Sequence, residues 1–197
     1  EMGVNQKGVS IGNEATFNKV RVSRTGVLGM DHLRMALELA STAKEALDMI
    51  IHTTEQYGQG GNGGFEHPLY YHNSYLITDP ADAYVLDTVE HGWAYKKLNQ
   101  NRHISNKISL RADFDEISPN LKDRVSDFES HFTNPIVSHF AGAYQRESRG
   151  RYLMQQEDYG LSGVIGILQD RHTGEVASMK NLGMIAGGLV SSQATAS

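Results

Sequence analysis

The run "GQGGNGG" at residues 58–64 spells GxGxxG at Gly58, Gly60 and Gly63. That spelling binds a dinucleotide only when a strand leads into it and a helix leaves it, because the helix N-terminus must face the pyrophosphate. Here a helical pattern precedes it and Phe65, Glu66, His67 and Pro68 follow, so a flexible loop, placed to act as a lid, is expected instead. Glu66, His67 and His72 bring metal-ligand side chains close in sequence. No HExxH or comparable frame orders them, so no metal site is expected and His72 reads as a packed or hydrogen-bonding residue. Arg146, Arg149 and Arg151 crowd "RESRGRY", where the plain reading is a solvated helix end. Asp170 and His172 in "QDRHTG" pair an acid with an imidazole at a spacing that assigns no role. Asn13 in "SIGNEA" and Asn73 at the head of "NSYLITD" are uncharged amides at strand ends. Such a residue either closes a local turn or donates an N–H into a cleft, and an acyl-enzyme reaction needs donors aimed at its oxyanion. The chain contains no cysteine, which excludes disulfides, thiolate metal sites and a cysteine nucleophile within these residues.

The elements that must position these groups follow from hydrophobic period. Residues 8–16 read as a short buried strand with only seven residues before it, so either it is an edge strand or the chain has lost what came before. Met30, Leu33, Leu37 and Ala40 recur at helical spacing, as do Ala43, Ala46, Leu47, Ile50 and Ile51. Between them Thr42 and Glu45 have the capping-box form, and Gly58 is the expected stop. The two helices are expected to lie antiparallel over one face of a sheet. Past the glycine run the period switches to two: residues 73–79 and 83–89 form a hairpin, and residues 92–98 and 104–110 complete a four-stranded antiparallel meander. Residues 113–132 read as irregular with one helical turn, 134–155 as helical, 159–170 as a shorter helix, 173–174 as a turn and 176–197 as small β-compatible segments. Trp93 is expected to pack under a helix. Helices, then a meander, then helices is an α+β pattern, and no repeat or long polar linker divides the 197 residues, so a single domain is expected.

Composition narrows the classes. The chain is 39% apolar before its 20 glycines are counted, ordinary for a globular fold. Its net charge of −5, with Lys96 and Lys97 as its longest basic cluster, leaves no electrostatic footprint for nucleic acid. No apolar run approaches the length of a membrane span, so no membrane partner is expected. The lack of cysteine fits any compartment; the cytoplasm is the favoured expectation, and a homo-oligomer stays open.

Five stretches in order carry a resemblance: "MGVNQKGVSIGNEA", "VLGMDHLRMALELASTAKEALDMI", "YGQGGN", "YHNSYLITDPADAYVLDT" and "ILQDRHTG". Together they resemble the secernin and dipeptidase-A family of N-terminal-nucleophile hydrolases, relatives of penicillin V acylase, bile salt hydrolase and isopenicillin N acyltransferase. The likeness is dense to about residue 110 and patchier, but still in order, to residue 197. It implies an αββα sandwich and hydrolysis of an amide bond, typically in a dipeptide, without metal or cofactor. It also implies an N-terminal cysteine nucleophile whose own α-amine is the base. Glu1 offers no thiol or hydroxyl for acyl transfer, so the expectation is an internal fragment lacking its first strands and nucleophile. "GGLVSSQATAS" resembles a family motif interrupted partway, which extends that expectation to the other end.

By similarity to the bile salt hydrolases Asn13 would be an oxyanion donor, and by similarity to isopenicillin N acyltransferase Asn73 would be the stronger one. Arg149 resembles the arginine of a Ser-Arg pair that places a guanidinium beside the nucleophile, favouring thiolate and orienting a substrate carboxylate. Asn13 and Asn73 are then expected to open into one cleft. Two alternatives remain within the resemblance: a non-catalytic secernin-like regulatory or binding protein, and an acylase or acyltransferase acting on non-peptide amides.

Overall fold

In the computed structural model of the chain, which describes residues 1–155, 160–174 and 176–185, period-two alternation builds one antiparallel sheet. Its six strands lie in sequence order: β1 (Met2–Val4), β2 (Ser10–Thr16), β3 (His72–Thr78), β4 (Ala83–Val89), β5 (Gly92–Lys97) and β6 (Glu116–Ile117). Of the two alternatives for residues 8–16, the edge strand does not hold, because β2 lies between β1 and β3. Asn5 explains how so short a lead folds back. Its side-chain oxygen accepts from the amides of Lys7 and Val9, at 2.9 and 3.1 Å, and Gly8 takes a left-handed φ of 85°. The Asn5 amide NH₂ also donates to the Leu37 and Ala40 carbonyls, fastening this turn to the helix above it.

That helix is α1 (Gly29–Leu39), followed by α2 (Ala43–Tyr57). The Thr42 hydroxyl accepts from the Glu45 amide at 3.1 Å, and the Glu45 carboxylate accepts from the Ser41 amide at 2.7 Å, a capping box displaced by one residue. Gly58 closes α2 with a left-handed φ, as expected. Both helices cover one sheet face, where Leu33, Ala36, Leu47 and Ile50 pack on Ile11, Tyr75, Ile77, Leu86 and Trp93.

The other face carries Val85, Val89 and Ala94 against Ile108, Leu110, Val125, Phe128 and Phe132. Residues 104–110, expected as the last meander strand, join no ladder; the outer position belongs to β6, two residues long. The reason is Asp87 of β4, whose Oδ2 accepts the amides of Ser109 and Leu110 at 2.8 and 2.7 Å. A buried side chain thus satisfies the backbone that a neighbouring strand would have satisfied, and the segment crosses the sheet face instead of extending it.

The helical stretch expected over 134–155 is broken. Asn134 caps α4 (Pro135–Phe140), and α5 (Ala143–Leu153) starts anew after Gly142, which has φ 66°. A Cβ on Gly142 would lie 2.2 Å from the Met179 carbonyl oxygen. Ahead of them α3 (Phe128–Phe132) is the helical turn expected in the irregular region, and α6 (Leu161–Leu168) lies within the shorter helix expected over 159–170. Gly174 turns at φ 88°, while residues 186–197 lie outside the described residues. The fold is mixed α+β, with one six-stranded sheet and six helices among the described residues. The face opposite α1 and α2 meets irregular chain and α3.

Candidate functional site

Strand register decides what the two asparagines can do. In the β2–β3 ladder Asn13 faces Tyr75 and Ala15 faces Asn73, so Asn13 and Asn73 are diagonal neighbours on one face. It is the face under α1 and α2, shared with Ile11, Tyr75 and Ile77. The amide groups meet: Asn13 Nδ2 donates to Asn73 Oδ1 at 2.8 Å. Asn73 Nδ2 donates in turn to Gln59 Oε1, also at 2.8 Å, and Asn13 Oδ1 accepts from the main-chain nitrogen of Glu1 at 2.8 Å. A main-chain nitrogen can only donate, so the direction of the whole row is set, with each amide oxygen accepting and the NH₂ groups of Asn13 and Asn73 donating. The row ends at Gln59 Nε2, which has no hydrogen-bond partner among the described residues.

Burial holds these groups still. Asn73 is 1% exposed, Gln59 2% and Asn13 9%. Gly29, the first residue of α1, lies flat against the Asn73 amide: a Cβ there would be 2.1 Å from Asn73 Oδ1. The Asn73 carbonyl accepts from the Thr88 hydroxyl across the ladder. Each NH₂ spends one hydrogen within the row and keeps a second, so Asn13 and Asn73 both retain an uncharged donor. A row of neutral donors can stabilise a developing negative charge without repelling an anionic nucleophile.

The glycine run is more firmly held than a flexible lid. Gly58, Gln59 and Gly60 are buried and bonded to the segment before α1: the Val27 amide donates to the Gly58 carbonyl at 3.1 Å and the Gly60 amide to the Val27 carbonyl at 3.2 Å. Glycine is required at position 60, where a Cβ would sit 1.9 Å from the Thr25 carbonyl oxygen. Only the tip, with Phe65 fully exposed, stands free of the body.

Arg149 is not brought to the asparagines. Its Nε and Nη2 hold Asp170 at 3.0 and 2.7 Å, and its guanidinium lies 5.3 Å from the Tyr152 ring centroid. That hydrogen bonding lowers the Asp170 carboxyl and raises Arg149, while His172 Nδ1 stands 3.6 Å from Asp170 Oδ2. Arg149 belongs to α5, which reaches the sheet from the opposite face: Arg146 donates to Asn106 Oδ1, and Asn106 donates to Glu14 Oε2 at 2.8 Å. Glu14 alternates with Asn13 along β2 and points away from it. Burial raises the Glu14 carboxyl, with Arg146 pulling the other way.

His72 also points to that second face. Asn18 Nδ2 approaches its Nδ1 at 3.3 Å, which puts the ring proton on Nε2, and burial lowers its pKa to about 4. A neutral, enclosed imidazole is the packed residue expected of it. Glu66 and His67 lie on the exposed loop, and among the described residues no three His, Asp or Glu side chains gather as a metal site.

A cleft of about 870 Å³ lies on this second side between residues 102–113, α3 and α5. A row of ion pairs forms part of its wall. Lys107 holds Glu129 at 3.1 Å and Glu147 at 2.9 Å, Arg111 continues from Glu129, and Arg151 from Glu147. Its charges meet one another's demands, which makes it a staple between α3 and α5. No helix among the described residues is long and apolar enough to cross a membrane. No protein-family model matches the chain. Gln59 and Gly29 are the site residues that sequence reading missed. Gln59 stood inside a run read only for its glycines, and Gly29 inside a helix read only for its apolar stripe.

Proposed function

We propose that the chain supplies the oxyanion side of a cysteine-dependent amidohydrolase of the N-terminal-nucleophile kind, acting on dipeptides, with its sheet and α1–α2 as one half of an αββα sandwich. The observation that carries this reading is the contact of Asn13 with Asn73, two neutral amides sixty residues apart joined at 2.8 Å in a row of fixed direction. Such a row is what acyl transfer needs where its tetrahedral intermediate gathers charge. The chain has no cysteine, so the thiol comes from outside these residues. Arg149, held by Asp170, takes no part in the donor row, and its expected role beside the nucleophile rests on motif likeness alone.

The burial of Asn73 favours one second reading, a non-catalytic binding protein on the same scaffold, because a donor 1% exposed must be uncovered before substrate reaches it. Dipeptide hydrolysis by the full-length protein separates the two. A thiol alkylator is expected to abolish turnover and a chelator to leave it intact, while the 197-residue polypeptide by itself hydrolyses no dipeptide. Loss of activity to a chelator with rescue by zinc would return attention to Glu66, His67 and His72 and overturn the assignment. Absence of turnover on dipeptides and on non-peptide amides alike would leave the binding reading.

A further inference from the structure

We infer that Gln59 is a positioning residue, and that the glycine run around it exists to deliver its side chain to Asn73. The inference rests on the oxyanion reading for its catalytic consequence and on geometry for its structural one. An asparagine amide is nearly symmetric in shape, so packing alone does not decide which end carries the NH₂. Two contacts decide it for Asn73: Asn13 Nδ2 demands an oxygen on one side, and Gln59 Oε1 demands an NH₂ on the other. Remove the Gln59 oxygen and the Asn73 NH₂ loses its acceptor. Any compensating flip would then set it against the Asn13 NH₂, donor facing donor. Asn13, turned by the Glu1 nitrogen, thus fixes which way Asn73 faces, and Gln59 holds the Asn73 NH₂ in place.

The backbone is built to put that oxygen in place. Gly58 takes a left-handed φ of 68° as it leaves α2, and the Gln59 amide donates to the Glu90 carbonyl at 3.1 Å. Gly60 and Gly61 then donate to Val27 and Ser23, so the chain on both sides of Gln59 is tied to the sheet or to the segment leading into α1. Because Gly60 meets the Thr25 carbonyl and Gly29 meets the Asn73 amide, side chains are excluded on both approaches. The glycines that resemble a nucleotide fingerprint thus let two stretches of main chain close around one polar side chain.

The test uses three variants in the 197-residue protein and in the full-length protein. Gln59→Leu removes the acceptor, Gln59→Ser is too short to reach Asn73, and Gln59→Glu keeps an oxygen at the same length. The first readout is hydrogen exchange of the Asn73 and Asn13 side-chain NH₂ signals by NMR. Gln59→Leu is expected to speed exchange at Asn73 at least tenfold, and Gln59→Glu to preserve protection. If Gln59→Leu does not fold, Gln59→Ser reads the same signal. The second readout is dipeptide turnover: Gln59→Leu should lower kcat by about 10 to 10² with KM nearly unchanged, since a donor displaced by an ångström costs on that order, and Gln59→Glu should restore most of it. Unchanged exchange at Asn73 in the leucine and serine variants overturns the inference, as does full kcat in a folded Gln59→Leu enzyme. A wild-type protein without turnover would sink the amidohydrolase reading while the exchange experiment still decides the role of Gln59.

Discussion

At Asn73 two requirements compete, because the transition-state donor proposed there must be rigid and also reachable. Rigidity is supplied by Gly29, Gln59, Thr88 and Asn13 together. Under the proposed amidohydrolase reading, Asn73→Ala is expected to lower kcat by about 10²–10³ with a smaller change in KM, the pattern of a contact made mainly in the transition state. Asn73→Asp should be at least as damaging, since a carboxylate sets an oxygen against Gln59 Oε1 and cannot donate. Gly29→Ala tests the packing side. Alanine is the better helix former by about 1 kcal/mol, but its methyl would overlap the Asn73 amide, a clash of the kind that costs about 1–3 kcal/mol. A lower melting temperature is therefore expected; equal or higher stability would show that the Asn73 slot yields easily.

Among the elements, the glycine run shows how a loop can be specified by what it must approach. Gly60→Ala would drive a Cβ into the Thr25 carbonyl, so the Val27–Gly60 bonds should open and residues 58–61 become a site of proteolytic nicking. Resistance to protease equal to wild type would contradict that account. Thr42→Ala isolates a different and purely local term. It removes an exposed cap from α2 and should cost about 1 kcal/mol in chemical denaturation, with no effect on the asparagine row.

For the whole molecule, buried titrating groups set the acid behaviour, and their signs oppose. Burial lowers His32 and His72 to about 4. Between about pH 6.5 and 4 the unfolded chain binds those protons and the folded one does not, so stability falls as pH falls. Burial raises Asp87 to about 6, against the pull of the Ser74 hydroxyl and the Leu110 and Ser109 amides. Below that pH the folded state protonates first, so Asp87 adds stability as pH falls towards its unfolded value near 4. Asp87→Asn keeps an oxygen for the two amides and removes the charge. The variant should be more stable than wild type at pH 7 and lose stability more steeply towards pH 4. Parallel pH profiles for the two proteins would mean that Asp87 is not the opposing group.

What residues near one another in the chain can settle, the sequence settled. The 3.6-residue stripe and the Thr42–Glu45 box mark α1 and α2, period-two alternation marks β3, β4 and β5, and Gly58 marks the end of α2. Asn13 and Asn73 were legible as a candidate pair through motif likeness, but their contact was not, because it depends on the β2–β3 register over sixty positions. The short turn at Asn5, the displacement of residues 104–110 by Asp87, the break at Gly142 and the approach of Gly29 to Asn73 were decided by tertiary structure alone. Each is a hydrogen bond or a close approach between distant segments, to which local propensity and period are blind. Arg149 and Gln59 mark the two directions of that blindness. A conspicuous arginine went to Asp170 outside its own helix, and a glutamine hidden among glycines became the acceptor of the Asn73 NH₂, because side-chain contacts follow from which chain segments folding brings within 3 Å.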